Sequence, residues 1–321
     1  MSDLGRVLVL AGGLSYEREV SLRSGRRVVD ALHAVGVDAA LADADGQLLL
    51  SLAGNPPDAV FIALHGDAGE DGAIREVLDL VGVPYVGSTP AACRVAFDKP
   101  AAKAVVRGVG LRTPDSVALP QDTFRELGAA VVLDRIVDQL GLPLFVKPAR
   151  GGSALGTSTV HNPADLPAAM VSCFSYGDTA LVERFVTGAE VAVSVIDTGD
   201  GPVALPPVEV VPDGGVYDYA TRYTPGATEY FTPARLDPDT IAAVTAAGLA
   251  AHRALGLRDL SRTDLIVDSD GPAFLEVNVS PGMTETSLLP MSAAAAGIDL
   301  GALCRDLAGL AAHRALGLRG G

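Results

Sequence analysis

Two apolar runs separated by a turn sequence predict a β-hairpin between residues 262 and 278, and no other stretch constrains the fold of this chain as strongly. The runs LIV and AFLEV flank the turn sequence DSDG at residues 268–271. Glu276 and Asn278 are two positions apart, so they project from the same face of the second strand. Pairing across the turn brings Asp264 opposite that face. These side chains offer the hard oxygen ligands that Mg²⁺ prefers, and the alternative is a hairpin with solvated acids on its outer face.

Glycine-containing loops follow several predicted strands. GGLSYEREVS follows the buried strand predicted at residues 6–10, and HGDAGEDG follows the one predicted at residues 59–64. The carboxyl ends of parallel strands are where α/β sheets bind ligands. Because G-x-G-x-x-G is absent, a dinucleotide-binding oxidoreductase is disfavoured. The loop RGGSALG, between strands predicted at residues 144–148 and 157–160, lacks the Walker sequence but can fold its backbone N–H groups over phosphates.

Strands and helices alternate up to about residue 98, which implies a small doubly wound domain. Two Ala-rich helices end in the same residues, GLAAHRALGLR, and we interpret the copies as similar helix ends in which His252 and His313 have no functional role. The remaining predicted elements are strands at residues 83–87, 180–186, 191–196 and 203–210, and helices at residues 74–80, 238–255 and 300–316.

The composition narrows the expected partners. The chain has 321 residues, enough for two or three domains, and a formal net charge of −15. Since there is no Lys/Arg-rich tract, neither nucleic acid nor an anionic membrane is expected as a partner. No apolar run approaches a membrane span and the N-terminus lacks a signal-peptide layout, so we expect a cytoplasmic protein. Cys93, Cys173 and Cys304 are far apart without metal-binding spacing, which favours reduced thiols.

Five strings in the chain resemble motifs of the D-alanine–D-alanine ligases, members of the ATP-grasp superfamily: GGLSYEREVS, LHGDAGEDG, KPARGGSALG, DYATRY and LEVNVSPGMT. They occur in the family's order and span nearly the whole chain. The resemblance implies an α/β fold that is α+β in its ATP-binding part. It also implies three domains: an N-terminal doubly wound substrate-binding domain at 1–98, a central ATP-grasp lid at 99–186, and a C-terminal catalytic domain at 187–321 with an ω-loop at 216–233.

The resemblance also implies roles in substrate binding and catalysis. Glu17 matches the acid that holds the ammonium group of the first D-alanine, and Ser153 matches the serine that positions it. Arg262 and the Gly282 N–H stabilise the tetrahedral oxyanion, which in other enzymes is worth on the order of 3 kcal/mol per donor. The further implied residues are His65 at the site, Ser287 and Leu288 at the second carboxylate, and Arg222 and Tyr223 in the ω-loop.

ATP and Mg²⁺ are the implied cofactors, with two Mg²⁺ ions expected and Mn²⁺ as an alternative ion. Lys99 and Lys147 match the lysines that reach phosphate. The implied metal ligands are Asp264, Glu276 and Asn278. Adenine is expected against Glu183, Phe185 and Val186, and the ribose hydroxyls against Glu190.

The implied reaction joins two D-alanines through an acyl phosphate for peptidoglycan precursor synthesis, in a homodimer. Tyr223 stands where dipeptide-forming members have a tyrosine, which predicts an amide product rather than an ester. Arg222 departs from the lysine that is common there, and the two side chains are not interchangeable at a phosphate. Two alternatives stay open: an ATP-grasp ligase for other amino acids, and a catalytically silent nucleotide-binding relative.

Overall fold

A parallel sheet opens the chain and is covered by helices on both faces. The computed structural model describes residues 4–213 and 226–319. The strands β1, β2 and β3 pair in parallel in the order β2-β1-β3. Alternation along β1 sends Val7 and Val9 to one core cluster and Leu8 and Leu10 to another, as expected of a strand buried on both sides. The elements are β1 Arg6–Ala11, α1 Arg18–Ala34, β2 Asp38–Asp43, α2 Leu48–Gly54, β3 Ala59–Ile62, α3 Asp67–Glu70, α4 Ala73–Leu80, α5 Pro90–Phe97 and α6 Lys99–Gly108.

The strand predicted at residues 83–87 is wrong in extent. It is reduced to an isolated parallel bridge between Val60 and Tyr85. The Val60 N–H donates to the Pro84 carbonyl, and the Val86 N–H donates to the Val60 carbonyl. Since Pro84 has no N–H of its own, the ladder cannot extend through it on that side. The neighbouring helix prediction at residues 74–80 is confirmed by α4.

A second, antiparallel sheet lies in the middle of the chain in the order β4-β7-β5-β6. Its core packs Leu144 and Val146 of β5 and Val182 of β7 against Ile136 and Met170 of the covering helices. β5 and β6 pair antiparallel around the glycine-rich loop, so the predicted strand–loop–strand hairpin is confirmed. The elements are β4 Ser116–Pro120, α7 Gln121–Leu127, α8 Ala129–Leu140, β5 Leu144–Pro148, β6 Ser158–Val160, a 3₁₀ turn Pro163–Asp165, α9 Leu166–Phe174 and β7 Thr179–Arg184.

A third, antiparallel sheet carries the hairpin that dominates the sequence. Its strands run in the order β11-β10-β8-β12-β13, with the short β9 also paired to β8. Val193, Leu265 and Phe274 share a core cluster with Ala102 of α6 and Val244 of α10. The elements are β8 Ala189–Ile196, β9 Val203–Ala204, β10 Val208–Pro212, β11 Thr228–Phe231, α10 Pro238–Ala254, β12 Leu260–Asp268, β13 Gly271–Asn278, α11 Leu288–Ala295 and α12 Leu300–Arg319.

The single strand predicted at residues 203–210 is wrong. The structure has two strands there, β9 and β10, separated by Leu205, Pro206 and Pro207. Only the Leu205 N–H in this gap can donate to a neighbouring strand, and it bonds to the Ser194 carbonyl at 2.8 Å. Two consecutive prolines remove two ladder donors, so the strand breaks at that point.

Several helices pack against sheets whose strands are distant from them in sequence. The α12 residues Leu303 and Leu307 join the core cluster of the first sheet, beside α1. α5 and α6 pack together on the third sheet.

The predicted α/β organisation with a doubly wound N-terminal sheet is confirmed, whereas the predicted domain boundaries at residues 98 and 186 stay predictions. The three cysteines are buried free thiols, as predicted.

Within the described ranges, no single helix is long and apolar enough to cross a membrane. One helix pair bent by 105°, Leu288–Ala295 with Leu300–Arg314, satisfies that test by length and composition together. Both members also contribute buried side chains to the core of the first sheet, among them Leu289 and Leu303.

Candidate active site

The hairpin β12–β13 places charged side chains on one face. Asp264 pairs directly with Glu276, and Arg262 pairs with Asn278, so the predicted placement of Asp264 opposite the face of Glu276 and Asn278 is confirmed. The register differs from that of a regular hairpin, because it shifts between Asp264 and Leu265, and this irregularity brings Glu276 rather than Leu275 opposite Asp264. Directly opposed residues in an antiparallel pair lie on the same side of the sheet, and so do residues two apart. The buried guanidinium of Arg262 donates to both Asp264 carboxylate oxygens, at 2.7 and 2.8 Å. This bidentate contact fixes Asp264 and offsets its charge.

Two adjoining cavities meet at this hairpin, with volumes of about 450 and 100 Å³. Lys99, Gly151, Gly152 and Glu276 line both. The structure brings every predicted site residue within its described ranges to one cavity or the other, while Arg222 and Tyr223 lie outside those ranges. The larger cavity is lined by Lys99, Lys147, Glu183, Phe185, Val186, Glu190, Asp264 and Glu276, and the smaller by Glu17, His65, Ser153, Arg262, Glu276, Asn278, Gly282, Ser287 and Leu288.

The larger cavity has apolar walls at one end and cations at the other. Phe145 and Phe185, with ring centroids 6.3 Å apart, line it together with Val186, Ile266 and Leu275. Such walls suit a flat ring system. Toward the hairpin, Lys99 and Lys147 line the same cavity, and ammonium groups are suited to phosphates. The cavity can therefore accept a molecule with an aromatic end and a polyanionic end.

Lys147 is held by Glu183, which lies on the neighbouring strand β7. The Lys147 Nζ is 2.8 Å from the Glu183 Oε2. Burial by itself lowers the pKa of Lys147, but attraction by Glu183 and Glu276 outweighs it, so the pKa is raised and the ammonium stays charged. Lys103 contacts the other Glu183 oxygen, Oε1. Sequence reasoning missed Lys103, although it lies four residues after Lys99 and therefore on the same face of α6.

Lys99 joins the glycine-rich loop to the hairpin. Its Nζ donates to the Gly151 carbonyl at 2.7 Å and lies 3.5 Å from the Glu276 Oε2. The side chain is buried, and its helix begins at the Asp98 cap, whose carboxylate accepts from the Ala101 N–H. Lys99 is thereby fixed where the two cavities meet.

Glu17 stands at the wall of the smaller cavity, against the glycine-rich loop. The Ser153 hydroxyl donates to its Oε1. A Cβ on Gly152 would come 2.8 Å from the Glu17 Oε2, so only glycine permits this approach. Ser153 and Ala154 have φ of 49° and 53°, the left-handed region, which costs non-glycine residues roughly 1 kcal/mol each. The loop is folded at this energetic cost so that Ser153 reaches the carboxylate.

Glu70 is a second acid of the smaller cavity that sequence reasoning missed. Its Oε1 accepts from the Gly66 N–H at 3.0 Å, and the side chain is buried. Burial, followed by repulsion from Glu17, raises the pKa of the Glu70 carboxyl to about 8. A glutamate inside the glycine-rich string LHGDAGEDG is a signal that could have found it. Glu70 is therefore held mainly in its neutral form near pH 7.

His65 fastens the loop after β13 to the N-terminal sheet. Its Nε2 pairs with the Ser24 Oγ at 3.0 Å and its Nδ1 with the Ser280 carbonyl at 3.0 Å. Burial lowers the His65 pKa to about 4, with Arg262 adding to the effect and the Ser280 contact opposing it. The imidazole is therefore neutral near pH 7. Ser24 also accepts from the Met283 N–H at 3.1 Å.

Arg27 of α1 reinforces this attachment from a second position. Its Nη1 donates to the Met283 carbonyl at 2.9 Å and to the Thr284 carbonyl. Sequence reasoning missed Arg27 as well, because no local pattern distinguishes it from its neighbours Arg23 and Arg26. The loop that carries Gly282 is thus positioned by side chains from the opposite end of the chain.

Gly282 and Ser287 lie together at the start of α11. A Cβ on Gly282 would come 2.6 Å from the Ser287 Oγ, which also accepts from the Thr284 N–H at 2.9 Å. Ser287 is the N-cap residue of α11, and Leu288 is its first helical residue. A helix N-terminus attracts anions through its dipole and its unpaired N–H groups. This end of the smaller cavity suits a carboxylate.

The predicted metal ligands form a set of two carboxylates and one amide. Asp264 and Glu276 face each other in register, and Asn278 Oδ1 accepts from the Ser280 N–H at 2.8 Å. No group of three or more His, Cys, Asp and Glu side chains arranged for a metal occurs in the described part of the chain. Hard oxygen donors with room left for water or phosphate fit Mg²⁺, which keeps several non-protein ligands.

Known proteins resemble this chain over nearly its whole length. Two family models match: "D-ala D-ala ligase C-terminus" at residues 105–308 and "D-ala D-ala ligase N-terminus" at residues 47–88. A D-alanine–D-alanine ligase from Bordetella petrii is 43% identical over 311 residues, which cover 96% of this chain and 93% of the relative.

Solved structures agree with the sequence relatives. D-alanine–D-alanine ligase from Bacillus anthracis superposes with a TM-score of 0.81 at 30% identity, covering 97% of this chain and 98% of that one. Its complex with ATP gives 0.79 at 29% identity with the same coverage. VanG D-Ala:D-Ser ligase from Enterococcus faecalis gives 0.81 at 26% identity, with 95% and 99% covered.

Proposed function

The chain belongs to the D-alanine–D-alanine ligase family, and we propose that its two adjoining cavities carry out the ATP-dependent ligation of two D-alanine molecules. The predicted ATP-grasp fold class is confirmed by the family's solved structures. The chain is an ATP-dependent ligase that forms D-alanyl-D-alanine, the dipeptide used in peptidoglycan precursor synthesis. The observation that carries the assignment to these cavities is that Lys99 and Glu276 line both of them. A phosphoryl group can pass from one cavity to the other only at such a junction.

ATP binds in the larger cavity in this proposal. Phe185 and Val186 flank the adenine, Glu183 stands at its amino edge, and Glu190 accepts from the ribose hydroxyls. Lys99 and Lys147 hold the phosphates at the hairpin end. The glycine-rich loop closes over them with its backbone N–H groups.

The first D-alanine binds in the smaller cavity with its ammonium group on Glu17, which Ser153 orients. One carboxylate oxygen attacks the γ-phosphorus of ATP, ADP leaves, and an acyl phosphate forms. The amine of the second D-alanine loses a proton and attacks the acyl carbon. Arg262 and the Gly282 N–H stabilise the tetrahedral oxyanion. Inorganic phosphate then leaves with the transferred carboxylate oxygen, and the amide remains.

The second D-alanine enters with its carboxylate toward Ser287 and the Leu288 end of α11. His65 acts in this proposal through the Ser280 carbonyl, by holding the loop that presents Gly282. Arg222 and Tyr223, outside the described residues, are assigned to the same reaction by the family resemblance alone.

Asp264, Glu276 and Asn278 would hold Mg²⁺ beside the phosphates. The ion, when bound, supplies positive charge that offsets the charge moving between phosphate and carboxylate. Arg262 holds the Asp264 carboxylate in one orientation through two hydrogen bonds. From the family resemblance we further propose that the enzyme works in the cytoplasm. We also propose that it is a homodimer, and light scattering of the purified protein measures the molar mass that tests this.

Phosphate release from ATP, measured against a panel of amino acids, tests the proposed function. D-alanine alone is expected to support release, and mass spectrometry is expected to find D-alanyl-D-alanine. L-alanine is expected to give no product. Equal D-alanine and D-lactate should yield mainly the dipeptide, and adding D-serine tests the different substrate range suggested by the similarity to VanG. Preference for another amino acid over D-alanine, or release without any amino acid, would overturn the assignment.

A further inference from the structure

We propose that Lys103 is a positioning residue of the nucleotide site: through the shared carboxylate of Glu183, it holds Lys147 in place and keeps it available to phosphate. The inference rests on the proposed function, because it assumes that phosphates bind at Lys147. It adds a residue that lies behind the larger cavity and does not line it.

Lys103, Glu183 and Lys147 form one buried cluster across two structural units. The Lys103 Nζ pairs with the Glu183 Oε1, and the Lys147 Nζ lies 2.8 Å from the Oε2. Their side chains are 2%, 3% and 7% exposed, so water cannot screen them effectively. Lys103 comes from α6, which packs on the third sheet, whereas Glu183 and Lys147 come from neighbouring strands of the second sheet.

The charge of this cluster favours an anionic ligand. Two ammonium groups share one carboxylate, which leaves a formal charge of +1 in a buried place. Glu276 and Asp264 offset part of this charge from the Lys147 side, and the remainder attracts an anion brought there. If Lys103 were neutral, Glu183 and Lys147 would form a balanced pair. The Glu183 carboxylate would then compete with phosphate for the Lys147 ammonium.

Geometry gives Lys103 a second effect. With Oε1 engaged by Lys103, Glu183 is held in the orientation that directs Oε2 to Lys147. Burial lowers the Lys103 pKa to about 8, with attraction by Glu183 opposing this and repulsion from Lys147 adding to it. The Lys103 ammonium is therefore charged in most molecules at pH 7.

The same helix links this cluster to the rest of the phosphate site. Lys99, one turn before Lys103, contacts the Gly151 carbonyl and lies near Glu276. One face of α6 therefore supplies a lysine that lines the cavity and a lysine that contacts Glu183 in the wall of the same cavity. A small shift of α6 would move both contacts together.

Lys103→Met tests the proposal, because it removes the charge and keeps most of the side-chain volume. Binding of ATP, ADP and adenosine to the full chain is measured by calorimetry at pH 7. We expect affinity for ATP and ADP to fall about tenfold, the size of one charge-assisted contact. Affinity for adenosine, which has no phosphate and meets Glu183 only at its adenine, should fall much less. Arg107→Met is the matched control: it removes the same charge one turn further along α6, from an exposed position, and should change neither.

A double-mutant cycle with Glu183→Gln identifies the route of the effect. Lys103→Met is expected to cost little ATP affinity in the Glu183→Gln background, because the carboxylate through which it acts is gone. Additive losses in the double mutant would overturn the proposal. So would unchanged ATP affinity in Lys103→Met, or equal losses for adenosine and ATP.

Lys103→Gln, which removes the charge but keeps an amide donor for Glu183, replaces Lys103→Met if the latter fails to fold, and a smaller loss of ATP affinity in the same direction is expected from it. Steady-state kinetics adds a second readout: the KM for ATP should rise while the KM for D-alanine stays constant. Failure of the proposed function would be recognised by a different measurement: the wild-type chain would release no phosphate from ATP with D-alanine. The effect of Lys103→Met on ATP and adenosine affinity is a binding measurement, and its result does not depend on that release.

Discussion

Among single residues, Glu276 contacts the most parts of the site, because it lines both cavities and lies 3.5 Å from the Lys99 ammonium. Glu276→Gln should lower turnover on the order of 100-fold, since a neutral amide is a poorer ligand for a hard cation and does not attract Lys99. The rate is measured as Mg²⁺ is titrated. Asp270→Asn, an exposed acid at the turn of the same hairpin, is the control and should be silent. A Glu276→Gln rate equal to wild type at limiting Mg²⁺ would contradict the metal assignment.

His252 and His313 occupy equivalent places in the repeated segment GLAAHRALGLR, yet only one is buried. His252 pairs with the Ser261 Oγ at 2.8 Å, whereas His313 is exposed. Burial lowers the His252 pKa to about 4. The unfolded chain binds this proton near pH 6.5 and the folded chain only near pH 4, so the free energy of unfolding falls as pH is lowered through this window. Above about pH 7 neither state binds the proton, and the effect vanishes.

His252→Asn should therefore make the free energy of unfolding depend less on pH below about pH 7. Urea unfolding at pH 7 and pH 5 should show a smaller loss in this variant than in wild type, by up to about 2 kcal/mol. His313→Asn should keep the wild-type loss. An unchanged pH dependence in His252→Asn would mean that other groups, such as His65 with its similarly lowered pKa, account for it.

The residues Glu17, Ser153 and Lys147 were singled out because their short motifs resemble those of the family. The structure places all three in the walls of the two cavities, and their roles stay predictions. Lys103 was missed because its importance comes from burial beside Glu183, a partner that is distant in sequence. A lysine on a helix is ordinarily solvated, and only tertiary contacts show otherwise.

At the scale of elements, the loop between β13 and α11 depends on α1 for its position. Arg27 donates to two of its carbonyls, at Met283 and Thr284, and Ser24 accepts from the Met283 N–H. Arg27→Met should release these carbonyls and weaken binding of the second D-alanine about tenfold, which is the expected loss for charge-assisted hydrogen bonds to one side chain.

The measurement is the KM for D-alanine at saturating ATP, together with ATP affinity, which should not change. Arg26→Met, an exposed neighbour on the same helix, is the matched control. If Arg27→Met weakened ATP and D-alanine equally, the effect would be one of general stability and the positioning role would be wrong.

Elements also show how far sequence patterns predict structure. The hairpin β12–β13 was predicted because a turn sequence between two apolar runs defines it locally. The register shift between Asp264 and Leu265, which sets Glu276 opposite Asp264, was not predicted, because no turn or apolar pattern marks it. The strands expected at residues 83–87 and 203–210 were wrong, because the apolar runs contain prolines that remove ladder donors. In both segments the apolar residues predict burial, but the prolines lack the backbone N–H groups that a continuous strand needs for hydrogen bonds to its neighbour.

At the scale of the whole molecule, the site depends on contacts between distant parts of the chain. α12 packs against the first sheet, and α5 and α6 pack on the third. An amphipathic period predicts that a helix has a buried face but carries no information on its partner, so these arrangements could not be predicted from the residues alone. The family resemblance did predict the overall fold, because it draws on the entire chain.

If this chain activates one D-alanine with ATP and joins it to a second, a carboxylate oxygen of the first must end in the released phosphate. The measurement uses D-alanine labelled with ¹⁸O in its carboxylate, incubated with ATP, Mg²⁺ and the enzyme. We expect D-alanyl-D-alanine and, for each dipeptide formed, one inorganic phosphate that contains one ¹⁸O, because the attacking carboxylate oxygen leaves with the phosphate. Dipeptide with unlabelled phosphate would contradict the acyl-phosphate route, and phosphate release without dipeptide would contradict the ligase assignment itself.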